Sequence, residues 1–110
     1  RLMKARELAR TAGLYIVLKG AYSAIITPQG KCYFNTTGNP GMATGGSGDV
    51  LTGVLLALLA QGYVPQDAAC LATYVHGLAG DIACKKQGMM GMTAGDIVNY
   101  LPLAWRMMEE

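Results

Sequence analysis

One segment of the 110-residue chain constrains its fold more than any other, because apolar side chains would cover most of the circumference of the helix that it predicts. A helix that is apolar all round is buried on every side. We therefore predict a buried helix over Ser47–Ala60, closed by Gly62, with protein on both sides of it. Seven apolar side chains cover most of its circumference: Val50, Leu51, Val54, Leu55, Leu56, Leu58 and Leu59.

The rest of the pattern predicts an α/β chain with few strands and three or four helices. A short strand and one hairpin cannot cover three largely apolar helices, so we expect the whole chain, residues 1–110, to be the C-terminal part of a single larger domain whose sheet begins upstream. The predicted elements are a helix over 2–12 capped by Gly13, a strand at 15–18, a hairpin over 22–35, a loop over 36–46, and helices over 47–60, 66–86 and from 93 onward, where Thr93 and Asp96 form a capping box and Pro102 restarts or kinks the helix.

Composition excludes several classes of protein. Apolar residues make up 52% of the chain and charged residues 15%, which excludes disorder. The basic residues are scattered and the net charge is +2, so neither nucleic acid nor a membrane surface is expected as a partner. Three cysteines without CxxC spacing indicate neither a zinc site nor a disulfide framework. We expect a cytoplasmic protein that buries its apolar surface in a larger domain or a homo-oligomer.

The Gly-rich segment before the apolar helix is the candidate site. Gly45, Gly46 and Gly48 let successive backbone N–H groups converge without obstruction by a Cβ atom. These donors lie where the helix begins, so the unpaired first-turn amides and the helix dipole add to one anion site. Asp49 follows at once, and its carboxylate could take a proton from a hydroxyl that attacks a bound phosphate.

A purely structural interpretation of this segment is also open. Ser47 could be the N-cap of the helix, with Asp49 merely favouring the positive end of the dipole. Two common nucleotide motifs do not match: a P-loop requires lysine where this chain has Asp49, and no strand immediately precedes the glycines as a Rossmann fingerprint requires.

Four segments, in this order along the chain, resemble motifs of the NAD(P)H-hydrate dehydratases, a branch of the ribokinase-like superfamily. The longest, NPGMATGGSGDVLTG, is specific to this branch, since related sugar and vitamin kinases share only a shorter G-x-G-D core. The resemblance implies a ribokinase-like three-layer α/β fold, of which this chain would be the C-terminal portion. The four segments are Val17–Ser23, Asn39–Gly53, Thr73–Asp81 and Met92–Asp96.

The resemblance also implies a repair reaction, in which ADP, or ATP in the eukaryotic branch, phosphorylates the ring hydroxyl of hydrated NADH or NADPH and phosphate then leaves. Mg²⁺ is expected for such a phosphoryl transfer. No residue of this chain is assigned as a metal ligand. The roles implied are Asp49 as base and substrate contact, Asn39 as a substrate contact, Gly46, Ser47 and Gly48 as the anion hole, and Lys19, Gly20, Ala21, Tyr22, Ser23 and Gly48 as the nucleotide site.

Two other functions remain open at this stage: a vitamin-precursor or sugar kinase of the same superfamily, and a catalytically incomplete nucleotide-binding piece. Because a complete domain of the family is longer, we expect a truncated or proteolysed piece that is inactive alone. Whether an epimerase domain is fused upstream in its parent is left open by the sequence. Lys19 could equally be a solvated strand end. We expect structural roles for a further set of residues: His76, Asp81, Cys70, Cys84, Met89, Met90, Met92 and Trp105.

Overall fold

The computed structural model describes residues 1–19 and 23–109, and its element order is that predicted from the sequence. The strands are shorter than predicted, and the 36–46 loop contains one 3₁₀ turn at Pro40–Met42. The elements are α1 (Leu2–Ala12), β1 (Ile16–Leu18), β2 (Ala24–Ile26), β3 (Cys32–Phe34), α2 (Ser47–Ala60), α3 (Pro65–Gln87) and α4 (Ala94–Glu109).

The three strands form one antiparallel sheet in the order β1-β2-β3. The central strand β2 is fully buried, and its Ile25 pairs with Val17 on one side and Tyr33 on the other. Helix α1 is held to the hairpin turn by Arg6, whose Nε donates to the Gly30 carbonyl at 3.1 Å. Lys19 directly follows the end of β1 and lies beside Gly48 at the start of α2.

Helix α3 is the centre of the helical layer. It packs against α2 on one side and α4 on the other, and its buried positions are mostly alanine and glycine, which allow close approach. Two core clusters result. One unites α3 with α4 through Val75, Ala79, Ala83, Met92, Ile97 and Ala104, and the other unites α2 with α3 through Leu51, Leu58, Ala68 and Ala72.

The described residues cover helix α2 over only part of its circumference, so its burial on every side stays a prediction for a larger domain or an oligomer. Leu51 and Leu58 are buried, whereas Leu56 is 61% exposed and Leu59 39% exposed. The physical reason is coverage, since the other described elements pack against only part of the helix. The remaining face is an exposed apolar surface.

Local signals at the helix ends are confirmed. Gly13 ends α1 in the left-handed conformation at φ 67°. At the start of α4, the Thr93 N–H donates to Asp96 Oδ2 at 2.8 Å and the Asp96 N–H donates to Thr93 Oγ1 at 3.2 Å, which is the predicted capping box. Helix α4 continues through Pro102. Among the described residues, no helix combines the length and apolarity needed to cross a membrane.

Candidate functional site

The first turn of α2 is built as the glycine pattern predicts. Gly46 is the N-cap in the left-handed conformation, at φ 89°. No described side chain caps the helix, and Ser47 is its first helical residue. The interpretation of Ser47 as N-cap is therefore wrong: its side chain is buried and points to the helix behind it. The Ser47 N–H donates to the Thr44 carbonyl at 3.2 Å, whereas the N–H groups of Gly46 and Gly48 make no hydrogen bond to a described group and stay available to an anion.

The loop that leads to α2 is fastened along one face of α3 by hydrogen bonds. Asn35 Nδ2 donates to the Thr73 carbonyl at 3.1 Å, and Thr37 Oγ1 donates to the Tyr74 carbonyl at 2.9 Å. Asp81 accepts from the Gly38 N–H at 3.0 Å, which confirms its predicted structural role. The loop therefore has one defined path to the site.

The Asn39 side chain makes three hydrogen bonds within the chain. Its Nδ2 donates to the Gly80 carbonyl at 3.1 Å and to Asp81 Oδ1 at 2.9 Å, and its Oδ1 accepts from the Gly41 N–H at 3.0 Å. Both amide hydrogens are thus used within the chain. The predicted substrate contact of Asn39 stays a prediction, and the bonds observed assign the side chain to the shape of the loop.

Two glycines of α3 allow the loop to approach the helix backbone. A Cβ atom built at Gly77 would lie 2.7 Å from the Thr37 carbonyl carbon. One built at Gly80 would lie 2.7 Å from Met42 Cγ. Real Cβ atoms do not approach this closely, so any side chain at Gly77 displaces the loop.

His76 connects this face of α3 to the start of α2. It is 6% exposed, and its Nε2 lies 3.0 Å from the Ser47 carbonyl oxygen and 3.4 Å from Ser47 Oγ. Because a carbonyl only accepts, Nε2 carries the proton. Burial lowers the pKa of His76, the hydrogen bond with the Ser47 backbone opposes that effect, and the charge of Lys19 lowers the pKa further. The structural role expected for His76, a helix residue with its hydrogen bond satisfied, is confirmed.

Two cavities flank the first turn of α2. The larger, about 730 Å³, lies between the loop and α3 and is lined by Ser23, Asn39, Ser47 and His76 among others. The smaller, about 330 Å³, lies between β1 and the side of α2 that carries Gly48. Lys19 lines both cavities, and its Nζ would be 3.5 Å from a Cβ at Gly48. A cation therefore stands beside the predicted anion site.

The structure brings some of the predicted site residues together and leaves others apart. Lys19, Ser23, Asn39, Ser47 and Gly48 line the cavities. Gly46 and the exposed Asp49 lie at the start of α2 without lining either cavity. The predicted nucleotide contacts Gly20, Ala21 and Tyr22 lie outside the described residues.

The cavity walls contain residues for which the sequence indicated no site role. Asn35, Thr37, Met42, Thr73 and Gly77 all line the larger cavity. The signal that could have found part of this wall was the Thr73–Asp81 segment, whose glycines and aspartate mark a helix face that receives another chain segment.

The fold and the site together define a class of protein. A left-handed glycine, a helix that no described side chain caps and an adjacent lysine are the features expected of the predicted anion site on an α/β chain. The chain belongs to the NAD(P)H-hydrate dehydratase family, whose sequence profile matches residues 1–103.

Relatives and solved structures agree with this family. The bifunctional NAD(P)H-hydrate repair enzyme Nnr of Thermofilum pendens is 49% identical over 110 residues, which are all of this chain and 21% of that protein. The ADP-dependent (S)-NAD(P)H-hydrate dehydratase of Neisseria meningitidis is 40% identical over 98 residues, 88% of this chain and 33% of that protein. The chain thus spans a third or less of the length of these relatives.

A crystal structure of the Bacillus subtilis ADP/ATP-dependent NAD(P)H-hydrate dehydratase, co-crystallised with ATP and Mg²⁺, superposes with a TM-score of 0.91. The two sequences are 34% identical, and the match covers 97% of this chain and 39% of that chain. The predicted fold class is therefore confirmed: the described elements form part of the ribokinase-like α/β fold of that enzyme.

Proposed function

We propose that the full-length gene product containing this chain dehydrates hydrated NADH and NADPH at the expense of ADP. The observation that carries the proposal is the first turn of α2, where no described side chain caps the helix, Lys19 Nζ lies 3.5 Å from the Cβ position of Gly48, and Asp49 is the next residue. The ADP dependence printed in the name of the Neisseria meningitidis relative supports this choice of nucleotide.

The chemistry follows from the groups present. Asp49 takes the proton from the ring hydroxyl as its oxygen attacks the β-phosphorus of ADP, and AMP leaves. The amides of Gly46, Ser47 and Gly48 stabilise the charge on the transferring phosphoryl group, and that of Ser47 shares its hydrogen with the Thr44 carbonyl. Hydroxide is a poor leaving group and phosphate a good one, so expulsion of phosphate then restores the dihydronicotinamide. One ADP is consumed, and one AMP and one phosphate are formed.

The expected Mg²⁺ would be held mainly by the nucleotide phosphates. No group of three or more His, Cys, Asp or Glu side chains capable of holding a metal occurs among the described residues. Mg²⁺ is commonly held by substrate phosphates with one or two carboxylates. We propose that it binds on the nucleotide phosphates held at the start of α2, where it would neutralise their charge.

The proposal also covers the domains fused to this chain, the protein that buries its apolar surface and its location in the cell. The bifunctional name of the Thermofilum pendens relative supports an epimerase domain fused upstream in the gene product. The exposed apolar face of α2 around Leu56 supports burial against further protein, in the rest of the domain or in a homo-oligomer. We propose a cytoplasmic location.

The test is an assay of the purified gene product with hydrated NADH, ADP and Mg²⁺, followed at the absorbance band of the dihydronicotinamide. We expect the absorbance to recover with one AMP formed per NADH, and no recovery without a nucleotide. Phosphorylation of a sugar or a vitamin precursor without any recovery of absorbance would instead establish the kinase alternative.

A further inference from the structure

Among the residues that the structure describes, His76 is the only side chain of another element that hydrogen-bonds to the first turn of α2, and both of its bonds are to Ser47. The remaining bonds between loop and α3 involve residues 35–39, well before that turn. The Ser47 N–H bonds to the Thr44 carbonyl of the same loop, which cannot fix the turn against α3.

The geometry of the contact is that of a support rather than of a reacting group. His76 holds the carbonyl of Ser47 with Nε2, while the amides proposed to bind phosphate, those of Gly46, Ser47 and Gly48, belong to the same turn. Fixing one carbonyl of a helical turn fixes the direction of its amides, because the peptide units are planar and hydrogen-bonded in series.

Burial of His76 protects its hydrogen bond to the Ser47 carbonyl from competition by water. At 6% exposure, the His76 side chain is shielded from bulk water, so water cannot readily replace its bond to the carbonyl. Its lowered pKa keeps the ring neutral near pH 7, so the ring adds no positive charge to the site. Its ring is long enough to place a donor where a shorter amide would fall short.

We propose that His76 is a positioning residue, which aims the first-turn amides of α2 at the phosphate of the bound nucleotide. The effect on nucleotide binding rests on the proposed function. The effect on the backbone of α2 does not rest on it, because the contact exists within the chain itself.

The test compares two amide replacements of similar polarity in the full-length gene product. In His76→Gln, the amide nitrogen can occupy the position of Nε2. In His76→Asn, the side chain is one bond shorter, so its amide nitrogen cannot reach that position. Val75→Ala is the control for general destabilisation, because Val75 is adjacent in α3 but packs into the α4 cluster.

The first readout is ADP affinity by isothermal titration. We expect a Kd within about threefold of wild type for His76→Gln and Val75→Ala, and a Kd raised about tenfold or more for His76→Asn, the size of one lost buried hydrogen bond. Equal affinities for the two amide variants would overturn the inference.

The second readout is hydrogen exchange of the Val50 amide, which bonds to the Gly46 carbonyl at 3.1 Å. His76→Asn should speed this exchange about tenfold relative to His76→Gln and to Val75→Ala. A wild-type protein that binds no ADP would refute the proposed function, and the exchange result would still decide the role of His76. Unchanged Val50 exchange in His76→Asn overturns that role in either case.

Discussion

At the scale of single residues, the proposed site assigns proton abstraction to a carboxylate and phosphate binding to backbone amides. Asp49 is exposed at the first turn of α2, where solvent and substrate can both reach it. The phosphate is assigned to main-chain donors of the same turn, which no change of the Asp49 side chain removes. The two functions are therefore separable by substitution.

Asp49→Asn should abolish most turnover while leaving ADP affinity nearly unchanged. Loss of a general base typically lowers the rate about 10²–10⁴-fold, and the amide keeps the size of the carboxylate. Steady-state kinetics and titration calorimetry on the gene product measure the two quantities. A variant that keeps more than about half of kcat would remove Asp49 from the role of base.

Gly46→Val should weaken ADP binding about tenfold or more and also cost stability. The residue has φ 89°, and a side chain there is strained and would lie 3.2 Å from Ala94 Cβ. Left-handed strain costs about 1–2 kcal/mol for a residue with a side chain.

Gly62→Val is the matched control, because Gly62 has φ 97° beyond the end of α2 and open space around it. We expect this variant to lose similar stability by thermal unfolding and to bind ADP like wild type. If Gly46→Val also kept wild-type ADP affinity, the glycine loop would not be the anion site.

The sequence predicted a glycine at the turn into α2 but not that Ser47 is the first helical residue rather than the N-cap. A serine before an apolar helix fits a cap and a buried first residue equally well, since local pattern contains no information on the partner. That partner is His76, 29 residues further along the chain. Only the packing of α3 behind α2 decides between the two.

At the scale of elements, the loop and α3 act as one unit because glycine removes the Cβ atoms between them. Gly77 is the less tolerant of the two contacts, since the atoms near its missing Cβ include the Thr37 backbone, whereas at Gly80 they all belong to the flexible Met42 side chain. The position of the loop, and therefore the path of the chain into α2, depends on the absence of Cβ atoms at Gly77 and Gly80.

Gly77→Ala should lower the free energy of unfolding by about 1–3 kcal/mol, the usual cost of overpacking. Gly53→Ala is the control: it lies on an exposed part of α2 with nothing near its Cβ, and should gain about 0.5–1 kcal/mol of helix stability. Urea unfolding measures both. Equal stability of the two variants would contradict the tight docking of loop and helix.

Elements were predicted well where a signal is local. Periodicity and caps located all four helices, and β-branched runs located the strands. The turn at Pro40–Met42 was missed, because it depends on the Asn39 side chain accepting from the Gly41 N–H while its amide group is held by α3. Tertiary contacts of this kind leave no periodic pattern in the sequence.

At the scale of the whole molecule, the main feature is the exposed apolar face of α2, which the sequence predicts to be covered by further protein. Leu56 and Leu59 lie on it, and Tyr63 and Val64 follow just after the helix with 44% and 57% exposure. The chain spans 39% of the Bacillus subtilis enzyme whose fold it shares. Both observations support a surface that is covered in a longer protein.

The 110-residue chain alone should self-associate and should not dehydrate hydrated NADH. Exposed apolar surface drives association, and a second copy would supply no new type of site residue. Sedimentation should show association that Leu56→Gln combined with Leu59→Gln reduces, while Met90→Gln, on an exposed turn, does not. A monomer with ADP-dependent dehydratase activity would show that the chain is complete by itself.

The central claim is that the first turn of α2 binds the nucleotide phosphate. Hydrogen exchange of the gene product, with and without saturating ADP, tests it without any need for catalysis. ADP should slow exchange at least about threefold in the peptide covering residues 44–51, with lesser protection near Lys19. Bound ADP that protects other segments and leaves residues 44–51 unchanged would contradict it.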